Sequence, residues 1–129
     1  MSKTTNPESV LFISYDRPKA GRELAALEIV STMTALLGKH QAAGTVHSVD
    51  AVSLTPVEGG IGGFILVRGD ERTIEDIRLS EEFTDLMLRG HLFMEDFSVV
   101  DGVTGDRHKA WLGRMANLFI RRDGMDVIK

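Results

Sequence analysis

Two short stretches decide the fold: VLFISY at residues 10–15 and FILV at residues 64–67. Both are rich in β-branched and aromatic residues, and both end at turn-forming residues, Asp16-Arg17-Pro18 after the first and Gly69-Asp70 after the second. They therefore predict two β-strands. Neither stretch alternates apolar with polar residues, as a strand with one face in water does, so both faces of the predicted sheet are apolar near these strands.

A helix and a second strand are predicted between these two stretches. Apolar residues spaced i, i+3, i+4 and i+7 predict a helix over residues 21–43, and Gly44 is suited to the left-handed position that ends it. Residues 45–54 predict a strand with mixed faces. The glycine-rich segment 58–63 joins that strand to the next one, which indicates a hairpin connection rather than a phosphate-binding loop, because such a loop opens a helix.

The second half of the chain repeats the alternation. Residues 73–89 predict one kinked helix or two short helices, with an N-cap at Thr73 and another at Ser80 and a stop at Gly90. Residues 95–103 predict a fourth strand. A last helix, capped by Asp106, carries an apolar stripe that indicates a core or dimer contact: Trp111, Leu112, Met115, Leu118 and Phe119.

The order of elements predicts an α+β fold with a ferredoxin-like βαββαβ arrangement, an antiparallel sheet with helices on one face and a C-terminal helix. We expect a flexible N-terminus over residues 1–9, a single domain over 10–120 and a polar tail over 121–129. Because the strands are apolar on both faces, something must cover the second face. The C-terminal helix and a second copy of the sheet are the two alternatives, and we favour the homodimer.

Composition excludes several classes of function. The 129 residues carry a net charge of −4, include no cysteine and are 6% aromatic. Without a basic stripe, nucleic acid is not the expected partner. No apolar run approaches the roughly 20 residues that a membrane helix needs. The N-terminus lacks the apolar core of a signal peptide, so we expect a cytoplasmic protein without disulfides.

Three segments of the chain resemble the dimeric α+β barrel superfamily, in which two ferredoxin-like sheets face each other. They are residues 63–70 leading into the helix at Thr73, residues 80–83 and residues 99–102, and the resemblance spans roughly residues 9–106. Within the superfamily, the chain resembles small uncharacterised members most. The Ala-Gly-Pro motif of YCII-type proteins is absent, since residues 50–53 are Asp-Ala-Val-Ser. The resemblance implies a homodimer with a cleft and, in some members, cofactor-free monooxygenase, isomerase or cyclase-like activity.

Four residues are candidates for binding a ligand in such a cleft. Tyr15 ends the first strand, His47 lies in the second, Arg68 ends the third and His91 follows Gly90. A phenol can orient a ligand, a histidine can transfer a proton near neutral pH, and a guanidinium can pair with an anion. No catalytic residue is assigned, and no cofactor is expected.

The histidines do not predict a metal site. His40, His47, His91 and His108 show no i, i+3 or i+4 pairing. Taken together, the sequence patterns leave three functions open: a barrel that binds a small organic molecule, a cofactor-free enzyme, and a structural module without a ligand.

Overall fold

The computed structural model describes residues 8–55 and 62–121, and four strands and four helices lie within them. Their bounds are β1 (Ser9–Tyr15), α1 (Glu23–Ala42), β2 (Ser48–Ser53), β3 (Gly63–Gly69), α2 (Glu71–Arg78), α3 (Glu81–Phe93), β4 (Ser98–Val103) and α4 (Gly105–Phe119).

The strands form one antiparallel sheet in the order β2-β3-β1-β4. Strand β3 lies between β1 and β2, and β1 lies between β3 and β4, so each βαβ half is split by a strand of the other half. This is the ferredoxin-like topology, and the predicted fold class is confirmed. The two edge strands are β2 and β4.

One face of the sheet is covered by helices and forms the core. Its side chains alternate along the two central strands, and Leu11, Ile13, Ile65 and Val67 are each at most 2% exposed. Phe83 of α3 is fully buried against them. The helices α1 and α2 add further buried side chains: Ala26, Ile29, Met33, Leu37, Ile74 and Ile77.

The opposite face, which we call the open face, carries the other side chains of the same strands. Its apolar members are Val10, Phe12, Val52, Phe64, Leu66 and Val100, which the strand register places together. Val100 is 49% exposed and the other five are half-buried. The rings of Phe12 and Phe64 are 5.3 Å apart. The prediction that β1 and β3 are apolar on both faces is confirmed.

The C-terminal helix begins on the covered side of the sheet. Arg107 donates a hydrogen bond from Nη1 to Ser9 Oγ at 2.6 Å and contacts Glu71 of α2 at 3.5 Å. Ser9 shares its face with Leu11 and Ile13. The alternative in which α4 covers the open face is therefore wrong for the residues that the structure describes.

The predicted region 73–89 forms two helices. The first begins earlier than predicted, because Asp70 is its N-cap and accepts a hydrogen bond from the Thr73 backbone N–H at 2.8 Å. The cap at Thr73 was therefore wrong. The second cap is confirmed, since Ser80 Oγ accepts from the backbone N–H of Phe83 at 3.3 Å.

Gly90 does not end α3, which continues to Phe93. Its backbone is helical, and the missing side chain makes room for Phe97, whose ring atoms lie 2.6 Å from where a Cβ would be. Packing therefore explains this glycine better than helix termination. His91 consequently lies in the last turn of α3 instead of in a connection.

Several predicted ends shift by a few residues. Strand β4 begins at Ser98 because the chain turns at Asp96, which has φ 53°. The last helix has Thr104 as its N-cap residue, with Asp106 in the first turn. Gly44 has φ 77°, as predicted. Most of the predicted glycine-rich hairpin, residues 56–61, lies outside the described residues, as do residues 1–7 and 122–129. No helix in the described ranges is long and apolar enough to cross a membrane.

Candidate functional site

Tyr15 lies at the end of β1, on the covered face and against the core. Its hydroxyl lies over the backbone of Gly63, where an added Cβ would be 2.5 Å away. Burial raises the pKa of the Tyr15 phenol above its usual value. Tyr15, the first of the four predicted ligand-binding residues, therefore lies at the rim of the core.

Arg68 and His47 lie at the other end of the sheet. Arg68 pairs with Val10 and is on the open face, half-buried. Since Tyr15 lies five positions after Val10 along β1, Arg68 is about 17 Å from Tyr15 and on the opposite face. The His47 backbone N–H donates to the Arg68 carbonyl at 2.8 Å, but the His47 side chain is exposed.

His91 is exposed on α3 and meets the edge of the Phe97 ring at 5.1 Å. Its carbonyl accepts a hydrogen bond from Lys19 Nζ at 3.3 Å. The four predicted residues are therefore not brought into one cleft. Only His47 and Arg68 are neighbours, and binding by any of the four stays a prediction.

A pocket of about 480 Å³ lies instead at the β4 edge, between α2, β4 and α4. We call it the edge pocket. One face of α2 lines it through Glu71, Ile74, Glu75 and Arg78, which are spaced i, i+3, i+4 and i+7. The other walls come from β1, β4 and α4: Ser9, Asp101, Gly102, Val103, Arg107 and Trp111.

The lining of the edge pocket combines both signs of charge with an apolar wall. Arg107 is held in place by Ser9 Oγ and Glu71, so its guanidinium has a defined position. Arg78 projects from the last turn of α2, while Glu75 and Asp101 add carboxylates. Such a site can pair with a charged group through the guanidinium fork and pack an apolar part of the same molecule.

A second, shallower pocket of about 310 Å³ lies between α1 and α3. Its lining combines apolar residues, among them Leu36 and Leu86, with charged residues, among them Lys39, Asp85 and Arg89. Neither this pocket nor the edge pocket includes any of the four predicted residues.

The sequence contains a signal for the edge pocket that none of its motifs reveals. Arg107 and Trp111 are four residues apart on one helix, and Ile74 and Arg78 are four apart on another, so each pair shares a helix face. Recognising them as one site requires knowing that α2 and α4 meet beside an edge strand. That knowledge comes only from the topology.

Metal binding finds no support in the described ranges. Among residues 8–55 and 62–121, no group of three or more His, Cys, Asp or Glu side chains is arranged to hold a metal ion.

Comparison with known proteins agrees on the fold. No protein-family model matches this chain, and no curated protein matches it. Among solved structures, it is similar to a dimeric protein of unknown function and ferredoxin-like fold from Bacteroides fragilis NCTC 9343. The two chains are 8% identical and superpose with a TM-score of 0.52 over 74% of this chain and 95% of that one. The predicted resemblance is thus confirmed at the level of the fold: this chain is a ferredoxin-like α+β protein.

Proposed function

We propose that this protein is a homodimeric α+β barrel that binds a small organic molecule in the edge pocket of each protomer. The observation that carries the binding proposal is the edge pocket itself, where Arg78, Arg107 and Trp111 converge from two helices. Its volume of about 480 Å³ falls in the range of small-molecule sites.

The charges of the lining favour a ligand that carries both signs. Arg78 and Arg107 can pair with a carboxylate, and Glu75 and Asp101 can pair with an ammonium group. Ile74 and Trp111 offer apolar contact for the remainder of the molecule. A small zwitterion with an apolar side chain, such as an amino acid, fits this combination better than a simple anion does.

Trp111 is the one tryptophan of the chain, so its fluorescence reports on the edge pocket directly. We expect a saturable fluorescence change with L-phenylalanine, and weaker changes with benzoate and phenethylamine, which each lack one of the two charges. Arg78→Gln should weaken phenylalanine binding by about fivefold, as the loss of ~1 kcal/mol from a solvent-exposed ion pair implies.

The matched control is Arg89→Gln, because Arg89 is an exposed arginine of α3 in the shallower pocket. It should leave the binding of phenylalanine unchanged. If none of the three compounds gives a saturable change at millimolar concentration, the binding proposal is wrong. Stronger binding of benzoate than of phenylalanine would replace the zwitterion with an anion as the ligand class.

The homodimer is supported by the open face. An apolar patch lies on the side of the sheet opposite the helices and is formed by Val10, Phe12, Val52, Phe64, Leu66 and Val100. Pairing two such faces about a two-fold axis would remove both from water. The Bacteroides fragilis protein is described as dimeric, which agrees with this arrangement.

Sedimentation equilibrium tests the pairing, with Val100→Glu as the disrupting variant because Val100 is the most exposed apolar residue of the patch. We expect a dimer for the wild type and a monomer for this variant. Asp50→Asn on the same face is the control, since Asp50 is already polar and lies on edge strand β2. If the wild type is monomeric at micromolar concentration, the homodimer proposal is wrong.

The enzymatic alternative lacks a comparable observation, because Tyr15, His47, Arg68 and His91 do not share a cleft. The cytoplasmic location is a separate prediction, and it rests on the sequence alone.

A further inference from the structure

Two serines of β1 are buried, and they lie on opposite faces of the sheet. Ser9 is 5% exposed on the covered face, and Ser14 is 8% exposed on the open face, where it pairs with Phe64. A buried hydroxyl costs free energy unless it forms a hydrogen bond. Ser9 Oγ meets this requirement by accepting a hydrogen bond from Arg107 Nη1 at 2.6 Å. The edge pocket therefore has a buried polar residue in contact with one of its arginines.

The start of α4 is fixed beside Ser9. The Thr104 backbone N–H donates to the carbonyl of Glu8 at 2.8 Å, one residue before Ser9. Ser9 itself pairs with Val103 of β4. Arg107 follows in the first turn of α4, so both its backbone and its guanidinium are tied to the beginning of β1. The position of this guanidinium is therefore set by the sheet as well as by the helix that carries it.

Glu71 contributes less to holding Arg107. Its carboxylate lies 3.5 Å from Arg107 Nη2, and its side chain is 74% exposed. An ion pair in that setting is weakened by water and by salt. The hydrogen bond to the buried hydroxyl of Ser9 is shielded from both. Ser9 is therefore the main contact that fixes the Arg107 side chain.

The other arginine of the edge pocket is not held in this way. Arg78 is exposed at the end of α2, and it forms no ion pair within 4 Å with a carboxylate of the described residues. A long side chain that must be ordered on binding lowers the affinity, whereas a side chain that is already fixed loses less freedom. Arg107 can still bind a ligand, because a guanidinium has more N–H donors than Ser9 and Glu71 use.

We propose that Ser9 is a positioning residue of the edge pocket, which holds Arg107 so that its guanidinium binds the carboxylate of the ligand. This inference rests on the proposed binding of a small zwitterion. The carboxylate of the ligand lies at the end of the pocket where β1 and α4 begin, and its ammonium group pairs with Glu75 or Asp101. Ser9 thereby sets the affinity of the pocket for carboxylates through Arg107.

The test follows the fluorescence of Trp111 while Ser9→Ala is titrated with L-phenylalanine, benzoate and phenethylamine. We expect the variant to weaken the binding of phenylalanine and benzoate by about threefold to tenfold, because the ligand then has to order Arg107. Phenethylamine has no carboxylate, so its dissociation constant should change less than about twofold. Ser9→Thr keeps the hydroxyl and should bind all three compounds like the wild type.

Ser14→Ala is the matched control, because it removes the hydroxyl of the other buried serine of β1. It should leave the binding of all three compounds unchanged. In a protein that already carries Arg107→Gln, Ser9→Ala should have no further effect on phenylalanine binding, since Ser9 acts through Arg107. Ser9→Cys is a second variant that fills the site with a weaker acceptor, and it should weaken benzoate binding even where Ser9→Ala does not fold.

The outcomes separate this inference from the proposed function. If the wild type binds phenylalanine and Ser9→Ala binds it equally well, the binding proposal stands and the role of Ser9 is overturned. Equal weakening of phenylalanine and phenethylamine by Ser9→Ala would mean that Ser9 supports the pocket as a whole, which also overturns the inference. A wild type that binds none of the three compounds contradicts the proposed function, and the inference is then wrong as well.

Discussion

The two faces of the sheet are built from the same strands and have different surroundings. Leu11 and Phe12 are neighbours in β1, yet Leu11 is fully buried beneath the helices, whereas Phe12 is half-buried on the open face. The same alternation separates Val67 from Leu66 in β3. Apolar composition alone therefore does not determine burial. Only one face is covered by the described helices of the chain, and the other retains exposed apolar surface.

This comparison has an energetic consequence. Apolar surface removed from water contributes roughly 25 cal/mol per Å² to folding. On the covered face that contribution is present in the single protomer. In the proposed homodimer, much of the contribution of the open face would be gained only on association, so it would depend on protein concentration.

The largest effect is expected from truncating the covered face. Leu11→Ala should lower the free energy of unfolding by about 2–5 kcal/mol, because it leaves a cavity in a fully packed core. Urea denaturation at two protein concentrations measures this, and the loss should be similar at both.

Phe12→Ala is the matched variant on the other face of the same strand. We expect a smaller loss for the dilute protein and a loss that grows with concentration, since in the proposed homodimer the Phe12 ring would be covered only by pairing. Equal losses for Leu11→Ala and Phe12→Ala in dilute protein would show that the two faces are packed alike. The proposed difference between the covered face and the open face would then be wrong.

A medium effect is expected where the covered side is packed most tightly. Gly90→Ala places a methyl group 2.6 Å from the ring atoms of Phe97. Overpacking costs about 1–3 kcal/mol and the better helix propensity of alanine returns about 1, so we expect a net loss of up to about 2 kcal/mol.

Gly38→Ala in α1 is the control, because no atom lies within 4 Å of the added methyl group. It should raise the free energy of unfolding by about 0.5–1 kcal/mol. Thermal or urea unfolding gives both values. Stabilisation by Gly90→Ala would mean that Phe97 can move aside, and that Gly90 is not required by the packing.

How much of this could be predicted from the sequence differs between the fold and the site. Local patterns were enough for the strands, because β1 and β3 are short apolar runs bounded by turns. The role of Gly90 was not predictable, since glycine commonly ends helices and Phe97 comes against it only in the folded chain.

The edge pocket could not be predicted from the sequence either, because its residues meet only in the folded chain. Its lining joins Ser9, Glu71, Asp101 and Arg107, which are far apart in the sequence. Ordinary charged residues in three separate elements leave no pattern by which their meeting can be predicted. The four residues selected by side-chain chemistry were each plausible alone, but the register places Arg68 and Tyr15 on opposite faces.

A smaller effect is expected at the start of α3, whose Phe83 fills the covered side. Ser80→Ala removes the hydroxyl that accepts a hydrogen bond from the Phe83 backbone N–H at 3.3 Å and donates to the Ile77 carbonyl at 2.7 Å. We expect a loss of about 1 kcal/mol in urea denaturation. Ser31→Ala, at an exposed site inside α1, should cost nothing. A negligible loss for Ser80→Ala would show that packing of Phe83 alone holds the start of this helix.

The smallest effect concerns the rim of the covered face, where Tyr15 is half-buried. Burial raises the pKa of this phenol, so its contribution to stability is fully present below the unfolded-state pKa of about 10 and is lost as the pH rises through the folded-state pKa. The urea midpoint of the wild type should therefore fall more steeply between about pH 9 and pH 11 than that of Tyr15→Phe. Because Tyr15 is the one tyrosine of the chain, its ionisation can also be followed directly by ultraviolet absorbance. An ordinary pKa in that titration would mean that water reaches the phenol freely and that the covered face ends before Tyr15.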